Sequence, residues 1–383
     1  MSKDDNTLPD ILSRSRTRAV FGAGVLTELG KISVEEGATH VFLVTDPGIV
    51  AAGHVDRAVA SLREAGLRVT LFDRVAENPT TEHVSDGVDV VRKINARGRP
   101  IDLLVGLGGG SSMDCAKGIN FIHTNGGEMK DYWGVGKATK AMLPMIAVPT
   151  TAGTGSEAQS FALISDPATR TKMACGDKKV ACRVALLDPD LTLTQPKAVA
   201  AATGIDAISH AVETAVTTRR GEVSLEFTRE AWSRLSRSYE TVMYDSTDAA
   251  ARADMLLGAH LAGAAIEHSM LGAAHACANP LTARCGITHG VAVGIMLPHV
   301  VRFNGRNEPT LYAALNEDAD RLASRIGGFV DAAGLPRSLS QCGVSEGILP
   351  SLAKEAAQQW TAQFNPVPVG EAELLELYHA ALA

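Results

Sequence analysis

Val105-Gly106-Leu107-Gly108-Gly109-Gly110-Ser111-Ser112-Met113-Asp114 reads as a buried strand that breaks into three glycines and runs into a helix over Cys115–Asn120. The start of a helix carries unpaired N–H groups and a partial positive charge, and consecutive glycines let a pyrophosphate approach the backbone. The same residues also spell a tight strand-to-helix turn with Ser111 as the cap. Both readings make the stretch a βα junction.

Its neighbours repeat the unit. Short β-branched runs at His40–Asp46, Arg68–Asp73, Ile101–Leu107 and Met145–Val148 alternate with helical patterns at Gly53–Glu64 and Thr81–Asn95, the signature of a parallel βα sheet. From about Leu191 the strand signal fades. Ala198–Ala215, Val223–Tyr239, Ala249–Glu267 and Leu311–Ala333 have helical spacing, so the second half is expected to be all-α. Leu186-Leu187-Asp188-Pro189 closes the last strand-like run and Pro196 sits at a helix start, which places an α/β domain at 1–190 and a helical domain at 191–383. A chain of 383 residues exceeds what one hydrophobic core usually supports, in keeping with two domains.

Net charge is −7 and no basic stripe is present, which argues against nucleic acid or an anionic membrane as partner and leaves small molecules. Six cysteines form no CxxC pair, and no apolar run reaches membrane-spanning length, so a cytoplasmic protein is expected. The first dozen residues, polar and without an apolar core, read as a tail.

Around the glycine loop, Asp46 ends the first strong strand, where a carboxylate can accept from an adenosine ribose diol or, with Pro47 following, cap a helix. Pro149 to Glu157 is a second hydroxyl- and glycine-rich turn. Its Thr150 and Thr151 can donate to a ribose or carboxamide, and Thr154 to Glu157 spell a capping box. Gly22-Ala23-Gly24 lacks the third glycine of a dinucleotide fingerprint, and Asn78-Pro79-Thr80 is a turn signature.

The helical half holds a second constellation. Asp206 and His210 stand four apart, which on a helix puts a carboxylate and an imidazole about 6 Å apart on one face, as a metal pair or as an ion pair. His275 and His289 would lie about 21 Å apart on one straight helix, so sharing an ion requires the chain to turn, with Pro280 and Gly286 as the breaks. One Asp and three His suit Fe(II), Zn(II) or Mn(II).

In this order the chain resembles the iron-dependent (group III) alcohol dehydrogenases. The match runs from Phe21-Gly22-Ala23-Gly24, Thr45-Asp46 and Asn78-Pro79-Thr80 through Gly108 to Ser111 with Asp114 and Lys117, and Pro149 to Thr154. It continues through Asp188-Pro189, Asp206 with His210, His275, His289-Gly290, Leu297-Pro298-His299-Val300 and Arg302-Phe303-Asn304. The resemblance implies the dehydroquinate synthase-like architecture, an α/β dinucleotide-binding domain followed by an all-α domain with the active site in the cleft between them. By similarity Asp206, His210, His275 and His289 ligate the metal. Gly109, Gly110, Ser111 and Asp114 line the pyrophosphate and its loop, and Asp46, Asn78, Thr150, Thr151 and Lys172 contact other parts of the dinucleotide. NAD is expected ahead of NADP, and Fe(II) as the metal, with Zn(II) or Mn(II) as alternatives.

The implied reaction is hydride transfer between nicotinamide C4 and a small primary alcohol, diol or aldehyde polarised by the metal, with no side-chain nucleophile. Asn279 stands where many members of the family carry a histidine near the substrate, and an amide cannot relay a proton. Cys277 is expected to be a packed thiol and His299 structural. A dehydroquinate-synthase-like or polyol-phosphate enzyme of the same superfamily would crowd the metal helix with basic residues, and Asp206 to Glu213 contains none. A non-catalytic scaffold would have no need of all four ligands. A homodimer or larger homo-oligomer is implied.

Overall fold

The structure is a computed structural model that describes residues 8–169 and 171–383. The expected tail lies partly outside those residues. Its remainder is ordered, with a 3-10 turn at Asp10–Arg14 that buries Leu12.

Two compact units are present, one formed by residues up to 151 together with Ser156–Thr194, the other by Ala152–Gly155 and Gln195–Ala383. The first unit contains, in chain order, β1 (Arg18–Phe21), α1 (Leu29–Glu35), β2 (His40–Val44), α2 (Pro47–Ala51), α3 (His54–Glu64), β3 (Arg68–Phe72), α4 (Thr81–Asn95), β4 (Leu103–Gly108), α5 (Gly110–Asn125), β5 (Gly134–Val135), β6 (Met145–Pro149), β7 (Phe161–Asp166), β8 (Thr171–Gly176) and β9 (Val184–Leu187). Six strands form a parallel sheet in the order β1-β9-β6-β4-β2-β3. Strands β2, β4 and β6 are buried throughout, because helices cover both faces of a parallel sheet and each face needs an apolar row. The pleat divides the residues: Phe42, Val44, Leu104 and Ala147 join α4 and α5 in one core, while Val41, Leu43, Leu103, Val105 and Ile146 join α1 and α3 in the other.

From β2 the chain moves outward to β3 and then returns to place β4 on the other side of β2. This reversal makes β2/β4 a topological switch point, where loops at the carboxyl ends of the strands splay apart and ligands bind. Asp46 and the glycine loop sit at those two strand ends. A second sheet, β5-β8-β7 with β7 and β8 antiparallel, was not anticipated. Its strands are short or partly exposed, so their apolar pattern is weak.

The second unit contains α6 (Lys197–Thr214), α7 (Glu222–Tyr244), α8 (Ala249–Glu267), α9 (Ala273–Cys285), α10 (His289–Gly305), α11 (Ala319–Ala332), α12 (Leu349–Ala356) and α13 (Glu371–Ala380), with no strand among the described residues. Helices α6 and α8 are buried on nearly every side, which explains their Ala-rich, barely amphipathic sequences. The helix expected across Leu311–Ala333 is two pieces. Asn316 takes a left-handed φ of 57° after a 3-10 stretch, and Asp318 caps a fresh start at α11. No helix among the described residues is long and apolar enough to cross a membrane.

Candidate cofactor loop and metal centre

Strand β4 turns into α5 through Gly108, whose φ is +146° and where a Cβ would lie 2.5 Å from Ser112 Oγ, so a residue with a side chain does not fit the turn. Helix α5 begins at Gly110 with Gly109 in the cap position and no side chain capping it. The alternative in which Ser111 caps the helix is therefore corrected: Ser111 lies inside the first turn, and its Oγ accepts from the Asn78 N–H at 3.3 Å. The open N–H groups at this start are anion donors. Beside Gly109, the Thr151 Oγ1 is buried with no hydrogen-bond partner, and the Thr150 N–H donates to the Gly108 carbonyl at 2.9 Å. An uncapped helix start, a glycine cradle and an orphaned hydroxyl fit a cofactor bearing phosphate and ribose.

The other residues of this set divide. Asp46 caps α2 through Ile49 N at 3.1 Å, and its second oxygen accepts from Ser112 Oγ at 3.1 Å, tying the two switch-point loops together. Asn78 has a left-handed φ of 54°, and its Oδ1 accepts from Lys172 Nζ at 3.4 Å. Asp114 faces inward, accepting from Ser156 Oγ at 2.6 Å and Leu163 N at 3.3 Å, with Lys117 Nζ at 4.0 Å. Burial pushes its pKa up despite Lys117. Thr154 to Glu157 do not open a helix; only a 3-10 turn follows at Ser156–Ala158.

In the second unit, Asp206 and His210 share one face of α6, His275 lies in the first turn of α9, and His289 opens α10. The chain reverses between the last two at Gly286, which ends α9 with a left-handed φ of 67°. Pro280 is no break, since it sits inside α9. Gly290 allows α10 to approach α6: a Cβ there would lie 1.9 Å from the Ala202 carbonyl oxygen. The result is convergence. Asp206 Oδ1 lies 3.4 Å from His210 Nε2, 3.5 Å from His275 Nε2 and 3.7 Å from His289 Nε2. Donors about 2.1 Å from one ion sit roughly 3.4 Å apart in a tetrahedron, so these spacings match a shared cation. Asp206 Oδ1 and His275 Nε2 are buried and form no hydrogen bond, as ligand atoms awaiting an ion would be. Burial works to raise the Asp206 pKa, and the imidazoles of His210, His275 and His289 outweigh it, holding the carboxylate ionised.

Sequence reasoning passed over Glu213. Three residues beyond His210 on α6 and fully buried, it accepts from His275 Nδ1 at 2.6 Å and from the Ala274 N–H at 2.7 Å. A carboxylate on the far nitrogen fixes the imidazole tautomer with Nε2 free for a metal. Burial alone would lower the His275 pKa, yet Glu213 and Asp206 hold it up to about 9. The signal that could have found Glu213 is its place seven residues after Asp206, on the same face of the helix. Asn279, one turn after His275 on α9, donates to Gln359 Oε1 at 3.0 Å. Cys277 is buried, its thiol pKa pushed up by desolvation, and its carbonyl accepts from Tyr378. His299 lies ten residues beyond His289 on α10, about 15 Å along the axis, beside Arg302 and Glu376.

Comparison with known proteins places the whole chain. Residues 16–189 match the family model described as iron-containing alcohol dehydrogenase, and residues 200–382 match the C-terminal model of the same family. Alcohol dehydrogenase 4 of Schizosaccharomyces pombe is 34% identical over 373 residues, covering 95% of this chain and 87% of that protein. The NAD-dependent methanol dehydrogenase of Bacillus methanolicus is 32% identical over 364 residues, covering 91% and 93%. The crystal structure of a 1,3-propanediol oxidoreductase superposes with a TM-score of 0.91 at 31% identity, covering 96% of this chain and 98% of that one.

Proposed function

This chain belongs to the iron-containing alcohol dehydrogenase family, and we propose that Asp206, His210, His275 and His289 hold its divalent metal while the β2/β4 switch point holds NAD. The observation that carries this reading is the single buried carboxylate oxygen of Asp206 facing three imidazole Nε2 atoms at 3.4 to 3.7 Å. When bound, the metal supplies a Lewis acid for an alcohol or aldehyde oxygen, and NAD supplies the hydride acceptor at nicotinamide C4.

The chain's own residues do the rest. Glu213 keeps His275 in the tautomer that presents Nε2. The Gly109–Gly110 backbone and Ser111 receive the pyrophosphate, with Asn78, Thr150, Thr151 and Lys172 around the remaining dinucleotide. Asp114 supports that loop through Ser156 rather than through the cofactor. Asp46 spends one oxygen on Ile49 and offers the other, shared with Ser112, to a ribose diol. Asn279 has no proton to give or take at neutral pH, so the proton does not leave through this side chain.

The substrate class is small primary alcohols, diols and their aldehydes, in line with relatives named alcohol dehydrogenase, methanol dehydrogenase and 1,3-propanediol dehydrogenase. Iron is the native metal in this reading. Six free cysteines support a reducing cytoplasm, and the protein works as a homodimer or larger homo-oligomer. The test is kinetics over alcohols from methanol through diols and hydroxy acids, after reconstitution with Fe(II), Zn(II) or Mn(II), alongside metal analysis of His275→Ala and His289→Ala. Both variants are expected to lose metal and turnover together; full activity in either removes it from the ligand set.

A further inference from the structure

We propose that the helical unit carries a second small-molecule site, an anion site for a phosphate-bearing compound, in the cavity between α7 and the start of α11. The cavity measures about 680 Å³, within the usual range for metabolite sites, and shares no residue with the cofactor loop or the metal centre.

One face of α7 lines it. Arg229, Trp232, Ser233 and Ser236 follow the i, i+3, i+4, i+7 spacing, and α11 adds Arg321 and Arg325 one turn apart. Three guanidinia thus meet a single lining carboxylate, Glu317, on a molecule whose net charge is negative. Glu317 does not neutralise the site so much as build it. Its side chain is 3% exposed; Oε1 accepts from Arg325 Nη1 at 2.7 Å, and Oε2 lies 3.1 Å from Arg321 Nε as an ion pair without a hydrogen bond. Arg325 is further fixed by the Ser236 carbonyl at 3.1 Å and by the rings of Trp232 and Phe329, at 5.1 and 5.6 Å. The Arg325 guanidinium is therefore oriented before a ligand arrives, which lowers the ordering cost of binding, while charge alone keeps Arg321 beside it.

Donors remain unspent. Among the described residues, Arg229 makes no hydrogen bond or ion pair, and the hydroxyls of Ser233 and Ser236 have no partner. Arg321 has its terminal nitrogens to offer. A wall carrying three guanidinia against one carboxylate that is already ion-paired selects an anion over a cation or a neutral alcohol. Phosphate fits better than carboxylate. A carboxylate presents two coplanar oxygens that one guanidinium already matches, whereas the oxygens of a phosphate diverge and suit guanidinia arriving from two helices.

The experiment is calorimetric titration of the metal-loaded protein, saturated with NAD to block the dinucleotide site, at low ionic strength. The probes are fructose 1,6-bisphosphate, inorganic phosphate and citrate. One bisphosphate per chain is expected to bind, with inorganic phosphate weaker at the same site. Arg229→Ala should weaken binding roughly tenfold or more, Arg229→Glu should abolish it, and Arg229→Lys should retain most of it. Arg321 and Arg325 variants strand the buried Glu317 and can unfold the helix pair, so Arg229 carries the test, with metal content and alcohol turnover unchanged in its variants as the check on folding. Absence of binding to the wild type at millimolar bisphosphate, equal binding by Arg229→Glu, or citrate binding more tightly than the bisphosphate would each overturn the proposal.

Discussion

At the scale of single residues, the proposed metal centre rests on a side chain outside its ligand set. Glu213 meets His275 through a 2.6 Å contact in a fully buried setting, so its removal leaves the imidazole free to rotate or to take the wrong tautomer. Glu213→Gln is expected to weaken metal affinity about 10- to 100-fold in chelator competition while the chain stays folded. Unchanged affinity would reduce Glu213 to a packing group. Asn279 makes a prediction of a different kind. Because its amide does not ionise, Asn279→His should add an ionisation near neutral pH to the kcat/KM profile that the wild type lacks. Profiles that superpose would place position 279 away from the reacting atoms.

At the scale of elements, close approach and sheet edges set the tolerances. The start of α10 is pressed on α6 at Gly290, where an added Cβ meets the Ala202 carbonyl oxygen at 1.9 Å. Gly290→Ala is expected to cost about 1 to 3 kcal/mol in denaturant unfolding. It should also displace His289 and reduce metal occupancy. Gly328→Ala on α11, where an added Cβ meets nothing within 4 Å, is the matched control and should be neutral or stabilising by up to about 1 kcal/mol. In the sheet, His40 on β2 links Arg99 O to Thr70 on the neighbouring β3, and burial lowers its pKa, the hydrogen bond to Arg99 O opposing it only in part and the charge of Arg68 adding to the lowering. A histidine depressed in the folded state favours folding fully above its unfolded pKa of about 6.5, and that contribution is lost as pH falls from there through the lower folded pKa. Melting temperatures of wild type and His40→Gln should therefore converge as pH drops from neutrality toward 5; a gap independent of pH would show that titration of His40 plays no part.

For the whole molecule, a metal held at the proposed site would be part of the fold. Three helices, α6, α9 and α10, bring their ligands to one point, so an ion bound only by the native state stabilises it by about 4 kcal/mol at a thousand times its dissociation constant. Stripping the metal with chelator is expected to lower the melting temperature, with recovery on adding Fe(II) or Zn(II); an unchanged melting curve would mean that no ion was held by these helices. Much of this organisation was legible in the chain itself. Unbroken apolar runs at Val41–Val44 and Leu103–Gly108 announced a sheet covered on both faces, and the glycines after Leu107 announced the strand-to-helix turn, because period and backbone freedom are local properties. Asp206 and His210 were readable as a pair for the same reason, being one turn apart on a helix. What only the tertiary structure decided is long-range: that Gly286 and not Pro280 reverses the chain, that Asn316 splits a periodic stretch, that residues 152–155 group with the helices, and that Glu213 meets His275 across 62 positions. Helical periodicity states which face a residue shares but not which other helix that face meets. That choice is made by packing, here by glycines such as Gly290 that let two backbones come close enough for three imidazoles to surround one carboxylate oxygen.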